Sequence, residues 1–593
     1  MGRTRREKLR SLAASPQLHA GKPVALARDE LESRTPERLR LGRLAEECGD
    51  TAEEAVAVMV QAARTAVDDA PRVGREHGAR VRVAPVDRLP RAVGRGGPAP
   101  DVQCLTHRIQ RMRHGLLVEP LGRAGDRGDL ADVDAEALLL HLDAAHPDAD
   151  GLVWLDSGVG ARTGRSLLAI GERVPLPEGE PVLPALRAAL AAMPALGRQR
   201  DSGGGIGGES GADSGDDAVP LGLVGWFGYE LRGETMGMLV PPVPGHHRAA
   251  WLCVDRGVLI DHEAGTVSLV ALDEAGTGQW SGELADWRHR MLELVRGASA
   301  ASPPPVADPQ PATAVWRDDD AHYAALVARC QEAIREGEAY QLCLTTQASV
   351  VGAHDADHDP VEVYRRLRRG SPAHHGALLR IGGTTLLSAS PETFLRVSDG
   401  TVSTRPIKGT RPRHADPVRD AALAAELKAS DKEQAENLMI VDLMRNDLSR
   451  VGEVGTVAVT GLLEVESYAH VHQLVSTVQG RLREGLDALD AVAACLPAGS
   501  MTGAPKRRAI ELLAEWEAGP RGVYSGAFGY LGADGSADLA MVIRSILLEG
   551  RTATIGAGGG VTALSEPAEE TAEMHLKAAA LLRALGAQEH PVP

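Results

Sequence analysis

Two glutamate pairs in this chain stand at a spacing suited to holding a hard cation. Glu433 and Glu436 lie in DKEQAENL, and Glu570 and Glu573 lie in ETAEMHLK. Residues three apart share one face of a helix, so each pair presents two carboxylates side by side. Four carboxylates brought together would repel one another unless a divalent ion sat between them. Mg²⁺, which takes oxygen ligands and keeps waters that a substrate carboxylate can replace, suits such a set. Taken singly, each pair also has the pattern of a solvated acidic face, and Glu573 could simply pair with Lys577 at i,i+4. Spacing alone does not show that the pairs meet.

Three further features could do chemistry. Lys408, in RPIKGT, stands between a proline-fixed extended segment and a glycine, in a short loop after a strand. Beside an apolar wall such an amine would lose its proton and become a nucleophile; in open solvent it would be an ordinary lysine. Glu392, in SASPETFL, follows a proline at a strand end, where it could be a general acid or base or merely a turn acid. The loop AGSMTGAPK ahead of a helix offers backbone N–H groups and the positive end of a helix dipole to an anion, or is a flexible connector. The glycine run GAGGG at 556–560 is a weaker signal still when it stands alone.

The elements that must position these groups alternate between helix and strand. YAALVARCQEAIREG has helical periodicity, AYQLCLTTQASVV reads as a strand, and GALLRIGGTTLLSAS reads as a hairpin. RDAALAAELKASDKEQAENLMIVDLMRNDL reads as one or two long helices, followed by a strand pair, a helix over DALDAVAACL, the Gly/Ser/Thr loop with its helix, three strands through TATIGAGGG and a last helix ending at Gly586. Further upstream, residues 117–297 carry strand-like runs such as GLVWLD and TVSLVAL, interrupted at 198–217 by a Gly/Ser/Asp-rich stretch expected to be a flexible loop. The Pro/Ala-rich segment 298–314 is the expected boundary before a catalytic domain at 315–590. Residues 1–116 hold no Phe, Tyr or Trp and are rich in Arg, Ala and Gly, so they are expected to form a poorly ordered extension.

Composition narrows the function. With 64 basic and 81 acidic residues the formal charge is −17, and no basic stripe is present. Nucleic-acid binding, which draws affinity from phosphate neutralisation, is therefore not expected. No apolar run reaches the roughly 20 residues of a membrane span, and the basic start MGRTRREKLRSLAASP has no apolar stretch behind it. A cytoplasmic, small-molecule enzyme is the expectation. The six cysteines are scattered without CxxC spacing, as for reduced thiols.

Taken in order, SPETF, RPIKGTRPR, DKEQAENLMIVDLMRNDL, GSMTGAPK, RGVYSGAFGY, MVIRS and GAGGGV resemble the chorismate-utilising enzymes, the family of anthranilate, isochorismate, salicylate and aminodeoxychorismate synthases. WLDSG at 154–158 and GWFGYEL at 225–231 extend the resemblance upstream. It implies an α/β (α+β) fold, a large antiparallel β-sheet sandwich flanked by helices with the active site between its layers. It also implies that Glu433, Glu436, Glu570 and Glu573 bind Mg²⁺ and through it chorismate. Arg544 and Tyr524 would hold a substrate carboxylate, and Ser500, Gly558 and Gly560 would line its anion pocket.

Two positions select the reaction within the family. Members that add water carry a lysine base where YQLCL has Gln341, so Gln341 stands here as a substrate contact and water is not the expected nucleophile. The aminodeoxychorismate synthases resemble this chain in having a lysine at position 408. Lys408 would attack C2 while the C4 hydroxyl leaves with a proton from Glu392, after which ammonia enters at C4. YAHVHQLVS has Gln473 where pyruvate-eliminating members have histidine, with His472 one step earlier, Cys343 stands where asparagine is frequent, and Ala572 replaces one acid of the usual run before the last helix. No Gly-x-Cys-x-Gly elbow occurs in the chain, so ammonia is expected from a glutamine amidotransferase subunit. The expected product is 4-amino-4-deoxychorismate, for p-aminobenzoate in folate or antibiotic synthesis. The alternatives are an anthranilate or 2-amino-2-deoxyisochorismate synthase, and an inactive homologue that binds a glutaminase or an effector.

Overall fold

Apolar alternation builds the strands. In Gln341–Val351 (β1), Leu342, Leu344 and Val350 join one apolar core, while Cys343 on the opposite face joins another. That is the two-residue period of a strand buried on both sides. Ile407–Pro412 (β2) is only partly covered, Val471–Arg481 (β3) and Thr552–Val561 (β4) are largely buried too, and with the Asp431–Ser449 helix (α1) and the Pro567–Ala584 helix (α2) they carry most of the chemistry. The computed structural model describes residues 115–588 apart from 124–132, 148, 177–178, 195–217, 242–247, 274–275, 353–357 and 469. The expected extension up to residue 114 and the 198–217 insertion lie outside the described residues.

Two large sheets form among the described residues, one of 13 strands and one of 10. In the first, Gly151–Asp156 lies beside His375–Ile381, and the order continues through Thr384–Ser390, Ser545–Glu549 and β4 to β1. In the second, β2 lies beside β3, and Ala527–Gly532 pairs with Gly222–Phe227. The pairings are antiparallel apart from Ala587–Gln588 against Ala312–Trp316. One apolar core draws Val153, Leu167 and Leu379 from the first sheet and Val224, Trp226 and Phe528 from the second, so the sheets pack face to face. The outer face of the first is covered by helices that include Asp320–Arg335, Lys506–Trp516 and α2, and that of the second by helices that include α1 and Ala488–Cys495. The result is the helix-flanked antiparallel sandwich expected from the resemblance.

Both sheets take strands from either side of the 298–314 segment, which therefore joins two parts of one fold. It is also pinned in place: Arg366 donates to the carbonyl of Ala307 at 3.1 Å, and Arg365 donates to that of Pro304. The long helical stretch divides at Ser430, whose extended backbone ends the Pro417–Ala429 helix and whose hydroxyl accepts from the N–H of Glu433 to begin α1. Four strands, rather than three, run from Ala527 to Val561. Cys253, Cys330, Cys343 and Cys495 form no disulfide. Among the described residues no helix is long and apolar enough to cross a membrane.

Candidate active site

The two glutamate pairs come from opposite helical layers. Along α1 the buried residues Gln434, Asn437, Ile440, Val441, Met444 and Leu448 follow helical spacing and fix the helix against the second sheet, which sets Glu433 and Glu436 beside β2. At the other layer, Pro567 starts α2, and the buried Thr571, Met574, Ala578 and Leu581 hold it against the first sheet with Glu570 and Glu573 in its first two turns. Glu436 and Glu573 are close enough to influence each other's ionisation. Three of the four acids are also engaged by a cation of the chain: Glu433 lies 3.7 Å from Arg411, Glu436 lies 3.9 Å from Lys408, and Glu573 lies 2.7 Å from Lys577. Burial pushes the carboxyl groups of Glu436 and Glu570 up, whereas for Glu573 the charge and hydrogen bond of Lys577 outweigh burial and hold it down. In this arrangement no three acidic, histidine or cysteine side chains among the described residues gather closely enough to hold a metal.

Lys408 departs from the loop expected for it. It lies within β2 rather than in a loop, at an irregularity in the pairing with β3 between Ile407 and Thr410, where Gly409 takes a φ of +82°. The reason is visible in β3, which continues pairing past the irregularity and draws residues 407–412 into the sheet. Its neighbours are acids rather than an apolar wall. Burial works to lower the Lys408 pKa, but Glu436, Cys343, Glu392 and Glu573 outweigh it and the net direction is up. The ligand-free chain thus holds Lys408 as an ammonium ion.

Around this ammonium stand the other predicted groups. Glu392 is buried after the Thr384–Ser390 strand, and burial raises its carboxyl despite the nearby Ser500 hydroxyl and the charges of Lys408 and Lys577. A carboxyl raised in this way is better able to hold a proton for a leaving group. Gln341 opens β1, and both atoms of its buried amide lack a hydrogen-bond partner. A Cβ on Gly560 would lie 2.1 Å from the Gln341 Nε2 and 3.4 Å from the Lys408 Nζ, so amide and ammonium converge over that glycine. Buried amides are almost always paired, and an orphan here points to a polar ligand in the same space. Gly558 contributes differently: its carbonyl accepts from Lys577 at 2.8 Å.

Tyr524 lies against β4, where a Cβ on Gly556 would fall 2.1 Å from its ring. Arg544 has a left-handed backbone, φ +51°, and its carbonyl accepts from the N–H of Ala389 at 3.1 Å. Such a conformation costs about 1 kcal/mol or more in a non-glycine residue, so the surrounding structure must hold it. Burial lowers the Arg544 pKa against the influence of Tyr524 and Glu573. No hydrogen bond or ion pair of its guanidinium occurs among the described residues, which leaves it available to an anion. His472 is turned away, bonded to Ser467 at 2.8 Å and to Asp420 at 3.0 Å, as expected for a neighbour of Gln473 on a strand. Gln473 itself is buried opposite Thr410 of β2.

Sequence reading passed over the groups that hold this site together. Arg521, within the quoted RGVYSG, donates to the carbonyls of Met501 at 2.6 Å and Cys343 at 2.8 Å and pairs with Glu517 at 2.6 Å. Glu517 in turn accepts from the backbone and hydroxyl of Thr345 at 3.0 and 2.9 Å, and the Tyr229 ring stacks 4.4 Å from the Arg521 guanidinium. One buried network thus ties the Ser500 loop and β1 to the Tyr524 turn. Lys506, the last residue of GSMTGAPK, pairs with Asp447 of α1 and donates to Pro497 at 2.8 Å. Asn437 donates to Leu474 at 3.2 Å and accepts from Ser476 at 2.6 Å, next to the Pro406 that leads into Lys408. The signal for these residues was a polar type inside an otherwise apolar pattern.

Two consequences are measurable. Asn437→Ala leaves buried polar groups unpaired and is expected to lower stability by about 1–3 kcal/mol, which a urea unfolding curve would read. Gly560→Ala is expected to displace the Gln341 amide and lower turnover on the order of 100-fold, with the unfolding midpoint little changed because that amide is a flexible end. Steady-state kinetics beside the melting curve would separate the two effects.

Lys408, Glu392, Gln341 and Gly560 thus gather with acids of α1 and α2, and that grouping frames the comparison with known proteins. Residues 192–583 match the family model of the chorismate binding enzymes, and the chain belongs to that family. It is 45% identical over 377 residues to an aminodeoxychorismate synthase of Streptomyces pristinaespiralis, a match covering 62% of this chain and 51% of that protein. It is 40% identical over 378 residues to anthranilate synthase component 1 of Streptomyces coelicolor, covering 61% of this chain and 72% of that protein. The chain spans about half the length of the two Streptomyces aminodeoxychorismate synthases it matches. Among solved structures, anthranilate synthase component I from Streptococcus pneumoniae superposes with a TM-score of 0.57 at 27% identity, covering 72% of this chain and 93% of that one. The menaquinone-specific isochorismate synthase MenF of Escherichia coli superposes at 0.56 with 18% identity, covering 82% and 98%, and attests the fold.

Proposed function

We propose that this chain replaces the C4 hydroxyl of chorismate with ammonia to give 4-amino-4-deoxychorismate. The observation that carries the reading is Lys408, set among Glu436, Glu392 and Glu573 and over Gly560 beside the orphan Gln341 amide. Similarity to the aminodeoxychorismate synthases supports it. In the first step the free amine of Lys408 bonds to C2, the ring double bonds shift, and the C4 hydroxyl departs as water with the proton of Glu392. In the second, ammonia bonds to C4, the double bonds return, and the Lys408 amine leaves C2. Splitting one substitution into two lowers each barrier. Arg544 and Tyr524 would hold a carboxylate of the substrate, and Gln341, which has no proton to accept or give near neutral pH, would orient the ring without activating water.

Magnesium fits the residues present. The donors are four carboxylates from two helices, burial already strains Glu436 and Glu570 against charge, and the Glu570 carboxylate lies close over Gly559, where a Cβ would fall 2.7 Å from it. Glu433, Glu436, Glu570 and Glu573 would hold the ion. When bound it would neutralise these acids and a substrate carboxylate. The ammonia would come from a glutamine amidotransferase partner in the cytoplasm, since the chain has no Gly-x-Cys-x-Gly elbow of its own.

The 40% identity to anthranilate synthase component 1 favours amination at C2 as the second reading. For the ammonia source, the purified chain with Mg²⁺ should consume chorismate when given an ammonium salt and not when given glutamine alone. Consumption with glutamine alone would contradict the proposed division of labour.

A further inference from the structure

Among the described residues the carboxylates of the two pairs do not gather closely enough to hold a metal, and the tightest contact made by any of the four is with a lysine. Lys577 lies one turn beyond Glu573 on α2 and bonds it at 2.7 Å, while its ammonium also donates to the Gly558 carbonyl at 2.8 Å. Those two bonds hold Glu573 toward its own helix and the glycine strand. The contacts of Arg411 with Glu433 at 3.7 Å and of Lys408 with Glu436 at 3.9 Å are looser. The influence of Lys577 reaches farther: it lowers the carboxyl groups of Glu570 and Glu392 as well, and its Nζ lies 3.8 Å from the Cβ position of Gly559, beside Glu570. Lys577 thus stands among three acids of the site, and Lys408 and Lys432 act on Glu573 as well, but of the three Lys577 alone bonds it directly.

We infer that Lys577 is the resident counter-ion of the cation site, and that a divalent cation must displace it from Glu573 to bind. This rests on Glu433, Glu436, Glu570 and Glu573 being the cation ligands. A hard divalent ion needs the Glu573 oxygens that the ammonium now occupies, and the two cations repel each other at this distance. Bond for bond, the exchange replaces N–H contacts to Glu573 by metal coordination and returns the ammonium to water or to the Gly558 carbonyl alone. Lys577 thereby keeps the acids compensated when no cation is present and sets the affinity threshold for one. An i,i+4 pair with a purely structural role would carry no such link between the lysine and metal affinity.

The test uses the full chain, without substrate, titrated with MgCl₂ and followed by heat and by shift in melting temperature. Lys577→Met is expected to bind Mg²⁺ about tenfold more tightly or better, the equivalent of one charge-assisted hydrogen bond removed from the competitor. Unchanged or weaker affinity would overturn the inference. Because the variant could also fold poorly, the wild-type chain provides a second reading. Reductive methylation followed by peptide mass analysis should label Lys577 faster with Mg²⁺ than without; slower or equal labelling would overturn it too. Glu436→Gln separates this inference from the reading beneath it. Mg²⁺ affinity untouched by that change, or no Mg²⁺ binding by the wild-type chain, would remove the carboxylate site itself, whereas a site lost in Glu436→Gln but indifferent to Lys577→Met would remove only the role of Lys577.

Discussion

Lys408→Ala is expected to abolish C4 amination, lowering turnover on the order of a thousandfold or more, as removal of a covalent nucleophile does. Chorismate affinity should change little, because Arg544, Tyr524 and the glycine strand are untouched. A difficulty attends this variant, since Lys408 also compensates Glu436, Glu392 and Glu573. Lys408→Arg answers it. A guanidinium keeps the positive charge but stays protonated and cannot attack carbon. If Lys408 acts as a nucleophile, Lys408→Arg is as inactive as Lys408→Ala; if it acts only through its charge, Lys408→Arg restores much of the rate. Turnover together with equilibrium binding of chorismate, measured on both variants, would decide. The ligand-free lysine is held protonated by its acids, so turnover should also rise with pH toward the range where the amine is freed, until the carboxyl of Glu392, raised by burial, has lost its proton. Both limbs follow from the same pair of groups, and the pH dependence of turnover in the unaltered chain reads them.

Arg521→Ala should be the most destabilising single change near the site. It leaves Glu517 as a buried uncompensated charge and removes the donors to Met501 and Cys343, and a broken buried pair costs about 3–5 kcal/mol. Because those donors fix the Ser500 loop and β1, activity should fall even under conditions where the variant stays folded. Guanidinium unfolding gives the stability change directly. A loss below about 1 kcal/mol would mean that the network is dispensable, as many exposed ion pairs are. Glu517→Gln, which keeps the shape and removes the charge, should cost less, and the difference between the two variants measures how much of the effect is the stranded charge.

What could be read from the sequence was local periodicity and the order of motifs. Three-residue spacing placed each glutamate pair on one helical face, and the structure sets those faces in opposing layers. Periodicity could not say that the layers meet, because that depends on which strands of the two sheets become neighbours. The resemblance to a family carried that step. Lys408 shows a different limit. A proline before it and a glycine after it suggested a loop, yet pairing with β3 draws it into a sheet, since tertiary pairing outweighs local turn preference. Its surroundings, left open between an apolar wall and solvent, were hidden for a related reason: the neighbours are acids contributed by α1, α2 and the end of Thr384–Ser390. Arg521 was in plain view within a quoted motif, but its value lies in partners from separate segments at Glu517, Met501, Cys343 and Tyr229, which no spacing rule connects. The 298–314 segment misled in the opposite direction, since its composition suggests a domain boundary while Arg365 and Arg366 pin it to a fold whose sheets cross it.

The central claim is that nitrogen enters at C4 of chorismate. Incubating the chain with chorismate, Mg²⁺ and ¹⁵N-labelled ammonium, and locating the label in the product by ¹⁵N–¹H correlation spectra, tests it most directly. The account predicts a single labelled amine on the ring carbon that bore the hydroxyl, with the enolpyruvyl group retained. Label at C2, or a product in which nitrogen is absent and water has been added, would contradict it.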